Sequence, residues 1–334
     1  MRIQRIINFV LLFIISINIL CNAVELFIEK KIKLEQKDII LSKLICASAD
    51  KDGNIYLIDM TPIKMLKYDK KGKFIEVLVK KGEGPDEISF VINIAIDDLN
   101  SRLITLDIQK NSLLLIDMGG NFIKQISLPG YHYSVNVNLF SEIFIVNRPS
   151  KGQPIISKLD KEYQETIKFF KYSGKGDFRN LDMKGFLLDF DSAGNIYAAE
   201  NLIYKINVFN RDGEPVRTFG KPGRDFRPFK TNPPLISTSV KFKKWQESFE
   251  ALVNLTVVND KYCVVFYRTA MKRDAIIHYD IYSLNGIKFD SGSLPQGMKP
   301  LQGKGSNGNI YCSKEEISED GTDVSFWLYE YTVR

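Results

Sequence analysis

Few side chains in this sequence have the types and spacing that catalysis usually needs. There are two histidines, His132 in "GYHYS" and His278 in "AIIHYDIY", and each stands singly in its own strand-like run. A histidine-based lyase needs more than one histidine beside an acidic partner, so packed or solvent-facing imidazoles are expected. Cys46, Cys263 and Cys312 lie in apolar runs ("KLICAS", "KYCVVFY", "NIYCSK") without C-x-x-C spacing. That excludes a zinc module and a disulfide-dense scaffold, and leaves small buried hydrophobes. "KKGEGPDEI" has the glycines of a phosphate loop but lacks G-x-x-x-x-G-K-[ST] and opens no helix. A linker is the better reading. No Ser-His-Asp order or nucleophile elbow is visible. Asp, Asn and Glu are plentiful, as a calcium-dependent hydrolase would require, but no convergent set can be assigned. No cofactor is expected, and no specific motif supports Ca²⁺.

One region mixes basic and aromatic residues in a way suited to binding. "GRDFRPFKTNPPLISTSVKFKKWQESFEALV", residues 223–253, offers Arg224, Arg227, Lys230, Phe226, Phe229 and Trp245. Aromatic and arginine side chains dominate binding hot spots, so Arg224, Arg227, Phe229 and Trp245 are the candidate partner-binding residues for a protein, peptide or glycan. The alternative is a surface loop with a short helix at residues 243–252 that covers a sheet edge.

The elements that must position such residues are set by repetition. Gly53-Asn54-Ile55-Tyr56 recurs as Gly194-Asn195-Ile196-Tyr197 and as Gly308-Asn309-Ile310-Tyr311. A catalytic motif is normally used once, whereas a turn leading into a buried strand is reused with every copy of a unit. Around each copy lie runs of 6–10 residues rich in Ile, Val, Leu, Tyr and Phe, bounded by Gly, Asp, Asn or Pro. These are short strands joined by tight hairpins. The second strand of each unit starts near Asn54, Arg102, Glu142, Asn195, Lys261 and Asn309, at spacings of 48, 40, 53, 66 and 48 residues. The interval of 66 contains residues 223–253, an insertion between the fourth and fifth units.

Six four-stranded antiparallel units at this spacing predict an all-β, six-bladed β-propeller. The sixth copy stops after three strands at Arg334, while "ELFIEKKIKLE" precedes the first copy as an orphan. The N-terminal strand is therefore expected to complete the last blade and close the ring, which removes the bare edge of an open stack. Closure would also make Cys46 and Cys312 neighbours. Asp59, Asp107 and Glu200 end second strands. They are expected to serve turns, the other reading being an acidic ring that coordinates a cation.

The stretch "DKDGNIYLID…IKMLKYDKKGKFIEVLVKKGEGPDEI" resembles the repeat of six-bladed propellers of the NHL-repeat and TolB-like group, in its bacterial form. Gly82-Glu83-Gly84-Pro85-Asp86-Glu87 matches the linker of that repeat, and the segment from Gly220 to Phe226 is a weaker copy. The resemblance spans residues 24–334, clearest in the first and fourth units. It implies the fold and says little of function, since such propellers host binding proteins and unrelated enzymes.

Residues 1–23 read as a secretory signal peptide: Arg2 and Arg5, an apolar run over residues 6–20, then Cys21-Asn22-Ala23. The run is shorter than the roughly 20 residues of a spanning helix. Lipidation at Cys21, giving an outer-membrane lipoprotein, is the variant reading. Without Arg2 and Arg5 the chain keeps 44 basic against 40 acidic residues, net +4. The charges are scattered, so no nucleic-acid footprint is present. The expectation is an exported, periplasmic or extracellular monomer of one domain, residues 24–334, with no transmembrane span after cleavage. It would act as a non-catalytic binding or scaffold module. The alternative is a metal-dependent hydrolase or lyase at the mouth of the central channel.

Overall fold

The computed structural model describes residues 24–37, 39–84, 86–148, 150–173, 186–222, 226–230, 240–269, 275–305 and 308–334. Residues 1–23, with Cys21, lie outside them, as do Pro85 and Arg224.

Six four-stranded antiparallel sheets form a ring. Blade 1 is β2 (Leu44–Ala49), β3 (Ile55–Met60), β4 (Ile63–Tyr68) and β5 (Phe74–Lys80), and blade 2 is β6 (Val91–Asp97), β7 (Arg102–Asp107), β8 (Ser112–Asp117) and β9 (Phe122–Ser127). Blade 3 is β10 (His132–Val137), β11 (Ile143–Asn147), β12 (Pro154–Leu159) and β13 (Glu165–Lys171). Blade 4 is β14 (Phe186–Phe190), β15 (Ile196–Glu200), β16 (Ile206–Phe209) and β17 (Pro215–Phe219). Blade 5 is β18 (Glu250–Val258), β19 (Tyr262–Thr269), β20 (His278–Ser283) and β21 (Lys288–Ser293). Blade 6 takes β22 (Lys299–Pro300), β23 (Ile310–Ile317) and β24 (Val324–Val333), and is completed by β1 (Leu26–Lys33).

The sequence pattern follows each strand's place in its blade. The second and third strands are covered on both faces by neighbouring blades, so they read as continuous apolar runs: Ile55–Met60 and Ser112–Asp117 are buried along almost their whole length. Fourth strands lie outermost and are largely half-buried or exposed, as in Phe122–Ser127. First strands line the channel and carry polar residues. Apolar clusters fill the space between successive blades all the way round, with blade 6 meeting blade 1 through Ile32, Leu34, Leu57, Leu66 and Leu328.

The closure expected from the orphan strand is present. Leu26 pairs with Val333 and Lys33 with Trp327, antiparallel along the full strand. Glu25 and Arg334 exchange backbone hydrogen bonds of 3.0 and 3.2 Å. Beyond the strand, Glu35 N donates to Gly72 O at 2.8 Å, tying the closing strand to blade 1. Gly72 is required there: its φ is +84°, and a Cβ would lie 2.3 Å from the Lys33 carbonyl oxygen.

Two expectations need correcting. The short helix falls at α1, Val240–Gln246, and not at residues 243–252. Residues from Glu250 onward are drawn into β18, where they pair with β19 to form the inner strand of blade 5. Cys46 and Cys312 are neighbours by blade only. Cys46 packs in the core between blades 1 and 2 and Cys312 in that between blades 5 and 6, and neither forms a disulfide. Burial pushes the Cys312 thiol far up, as it does that of Cys263.

Candidate functional site

The repeated Gly-Asn-Ile-Tyr tetrapeptide closes the turn between the first and second strands. Asp50 accepts hydrogen bonds from the backbone N–H of Asp52 and Asn54, from Asn54 Nδ2 at 2.8 Å, and from the Tyr56 hydroxyl at 3.0 Å. Asp191 holds Asn195 and Tyr197 in the same way. In blade 6 the aspartate is replaced by Gly305, and Asn309 Nδ2 turns to Glu29 and Glu330. The tetrapeptide is therefore architecture. Because strands alternate in direction, these turns all lie on one face of the ring, and the inter-blade linkers lie on the other.

Asp59, Asp107 and Glu200 belong to the linker face. Asp59 accepts from Ser42 N, Ser42 Oγ at 2.6 Å and Lys43 N at 2.7 Å, with Lys64 Nζ 3.1 Å away. Asp107 holds Ser89 N at 2.6 Å and the turn amides of Gln109 and Lys110. Glu200 binds Ser173 N and Oγ. Each fastens the linker that leads into a first strand. Among the described residues, no three His, Cys, Asp or Glu side chains converge to hold a metal ion.

The histidines are far apart. His132, in β10, is buried between Asn147 Oδ1 and the Pro129 carbonyl, each at 2.9 Å. His278, in β20, stacks on Tyr267 and contacts Ser293 Oγ at 2.8 Å.

The described residues of the insertion pack against the ring. Trp245 is buried against Phe249 and Phe229, at ring separations of 5.1 and 6.1 Å. Phe226 is buried edge-on to Tyr204 and Tyr267. Arg227 pairs with Glu250, Nη2 to Oε1 at 2.7 Å, yet leaves half of its side chain in solvent. Glu250 Oε2 is buried and accepts no hydrogen bond among the described residues.

A cavity of about 710 Å³ occupies the channel and opens on the aspartate-turn face, opposite the insertion. First strands from blades 1 to 5, and in blade 6 the segment from Gln302 to Lys304 that follows β22, form its wall. They are laced together by side chains that reach the next blade's backbone. Ser48 Oγ donates to Ile94 O at 3.2 Å, Asn93 Nδ2 to Val135 O, Asn254 Nδ2 to Leu301 O at 2.8 Å, and Val257 N to Asp189 Oδ2 at 2.7 Å. Blade 6 joins blade 1 through the backbone, Ala47 N to Gln302 O and Ala49 N to Lys304 O, both 2.8 Å. Gly303 between them permits that approach: a Cβ there would lie 2.2 Å from Ser48 Oγ.

These hydrogen bonds use the amide nitrogens of Asn93 and Asn254 and leave acceptors over. Asn93 Oδ1 and Gln302 Oε1 are buried and accept nothing among the described residues. Midway up, Lys304 Nζ lies 3.0 Å from Asp189 Oδ1 and donates to Phe190 O at 2.9 Å. Burial raises the Asp189 carboxyl above its ordinary value, and Lys304 and the Val257 amide pull against it. At the rim stand Asp50, Asp97, Asp98, Asp191 and Asp260. Burial raises the Asp98 carboxyl as well, and the charges of Asp50 and Asp52 add to the effect. Asp97 goes the other way: burial opposes its ionisation, but hydrogen bonds from Ser141, Asn100 and Arg102 outweigh it.

A family model described as "6-bladed beta-propeller" (DUF5128) matches residues 21–267. The chain belongs to that family. Among solved structures, this propeller is similar to a DUF4221 member from Bacteroides vulgatus, with 10% identity, TM-score 0.68, and 94% of this chain and 99% of that one covered. It is also similar to a candidate exported protein from Bacteroides fragilis, with 14% identity, TM-score 0.65, and 93% and 95% covered. Virginiamycin B lyase from Staphylococcus aureus aligns at 12% identity and TM-score 0.52, over 92% of this chain and 99% of that one. At these identities the likeness is one of fold. No curated protein matches this propeller.

Sequence reasoning did not find the cavity. Its signal was the polar interruption of first strands (Asn93, Ser134, Asn136, Asp189, Asn254), which reads in isolation as a weaker strand.

Proposed function

We propose that this is an exported, non-catalytic propeller of the NHL and TolB-like kind that binds a protein, peptide or glycan at the aspartate-turn mouth of its channel. The observation that carries the reading is the pair of lone buried acceptors, Asn93 Oδ1 and Gln302 Oε1, in the wall of the channel cavity. A buried polar atom without a partner costs about 1–3 kcal/mol, so a group that supplies the missing hydrogen bonds gains that much in affinity. Export is supported by the basic-apolar-small pattern of residues 1–23 and by the similarity to a candidate exported protein. No helix among the described residues is long and apolar enough to cross a membrane. On the insertion face, Arg227 and Phe229 are the residues best placed to add partner contact, and Trp245 supports them from beneath.

The test is a glycan array and a pull-down with the wild type and with Asn136→Trp, which puts an indole into the cavity. Capture by the wild type and loss in the variant are expected. Equal capture by both would move the site to the insertion face, where Arg227→Ala would then abolish it.

A further inference from the structure

The cavity is chemically one-sided. Its lining holds six aspartates, at positions 50, 97, 98, 189, 191 and 260, against Lys51 and Lys304, in a chain whose net charge is +6. Arg102 pairs with Asp97 at 2.8 Å and Lys304 with Asp189. Asp50, Asp98, Asp191 and Asp260 have no basic side-chain partner among the described residues: Asp98 accepts from Lys51 N and Asp260 from Ser192 N, both backbone amides. The rim therefore keeps an excess of negative charge, and low-dielectric walls strengthen its field.

Deeper in the wall, two acceptors stand without donors among the described residues. The amide nitrogens of Asn93 and Asn254 and the ammonium of Lys304 are spent on the protein, while Asn93 Oδ1 and Gln302 Oε1 are left without donors. Asn93 is more than nine-tenths buried. The backbone links place Gln302 level with Ala47 and Cys46, and Cys46 Sγ accepts from Ile94 N, so Gln302 and Asn93 belong to the same level of the wall. The rim residue Asp97 is four strand positions from Asn93, about 13 Å along the channel.

A hydroxyl-rich ligand brings as many acceptors as donors, and an anion brings only acceptors. An alkylammonium brings three donors, a positive charge and no acceptor, which complements this wall. We propose that the cavity binds an alkylammonium ligand, either a free polyamine or the lysine side chain of a partner. The field of Asp98, Asp260 and their rim neighbours draws its charge into the mouth, and at depth its N–H donors point to Asn93 Oδ1 and Gln302 Oε1. The proposal rests on the reading that the channel is the binding site and narrows its ligand.

The experiment is calorimetric titration of the purified protein with spermidine, a short oligolysine peptide and sorbitol, at about 20 mM and about 200 mM salt. Saturable spermidine or oligolysine binding that weakens with salt is expected, with no response to sorbitol. Binding of oligolysine alone assigns the ammonium to a protein partner, and binding of spermidine assigns it to a free amine. The pair Asp98→Asn with Asp260→Asn keeps the acceptors of both turn amides and should weaken binding about five- to tenfold. Gln302→Leu, which keeps bulk and removes the acceptor, should weaken it further. If the double variant melts early, Asp98→Asn alone and the salt response carry the test. Absence of any amine binding overturns the proposal, as does amine binding that ignores the aspartate variants or Asn136→Trp. Sorbitol binding that Asn136→Trp abolishes would overturn the ammonium assignment and leave the channel reading standing.

Discussion

Lys304 of blade 6 reaches past blade 5 to Asp189 of blade 4, Nζ to Oδ1 at 3.0 Å, while the other oxygen of Asp189 holds the Val257 amide of blade 5 at 2.7 Å. Three consecutive blades are thus joined at one carboxylate inside the channel. The pair has a specific energetic signature. Removing one partner of a buried ion pair costs about 3–5 kcal/mol, and Lys304 is partly exposed, so Lys304→Met should cost about 2–3 kcal/mol. Adding Asp189→Asn should recover most of that loss, because no buried charge is then left alone. A double-mutant cycle by urea unfolding at neutral pH measures it, and strictly additive losses would mean the two groups do not interact. Asp189 is raised above its unfolded value, so the Lys304→Met variant should gain stability relative to wild type as the pH falls toward the ordinary aspartate range, where the carboxyl is protonated.

Glu142 behaves in the opposite way. Burial disfavours its charge, but hydrogen bonds from Arg211, Lys158 and Asn138 outweigh burial and bring it to about 2. Its stabilisation is present above the ordinary glutamate value of 4.5 and is lost as the pH falls toward 2. With Arg211 partly in solvent, the loss on acidification should be about 1–2 kcal/mol. Glu142→Gln should flatten the acid limb of the stability curve between pH 5 and about 2. An unchanged limb would show that other carboxylates carry it.

Trp245 separates a contact role from a packing role. Its indole lies among Phe229, Phe249, Tyr172 and Phe186. Trp245→Ala should lower stability by about 3–5 kcal/mol, read from the denaturant midpoint. Arg227→Ala should lower it by much less, because one side of its ion pair is open to water. A Trp245→Ala protein that melts like wild type would return the residue to the partner surface.

Truncation tests the closure. Deleting residues 24–35 removes Ile32 and Leu34 from the core between blades 6 and 1 and bares the edge of β24. Dimers, aggregates or a large drop in melting temperature are expected by light scattering and calorimetry. A monomer with an unchanged melt would show that the ring does not need this strand.

Much of this was legible in the chain because it depends on local chemistry. Asp50, Gly53, Asn54 and Tyr56 meet within seven residues, so their turn is written in one stretch, and the missing and orphan strands could be counted. The cavity depends on groups such as Ser48, Asn93, Asp189, Asn254 and Lys304, which are dispersed over most of the chain and converge only once the ring exists. The aromatic insertion looked like a binding loop because tryptophan and phenylalanine serve hot spots and cores equally well. Only the tertiary contacts of Trp245 and Phe226 show that they are buried.

The pairing of Leu26 with Val333 also sets an order of events. A chain emerging from a ribosome or a membrane channel presents its β1 segment first and β24 last. Five blades can form as they appear, while the segment that finishes the sixth waits with its hydrogen-bonding edge unmet until nearly 300 further residues have arrived. Joining partners so distant in sequence is slow. Completion of the circle is therefore a late, all-or-none step, and a stalled or clipped chain would carry an open seam that proteases and chaperones can recognise.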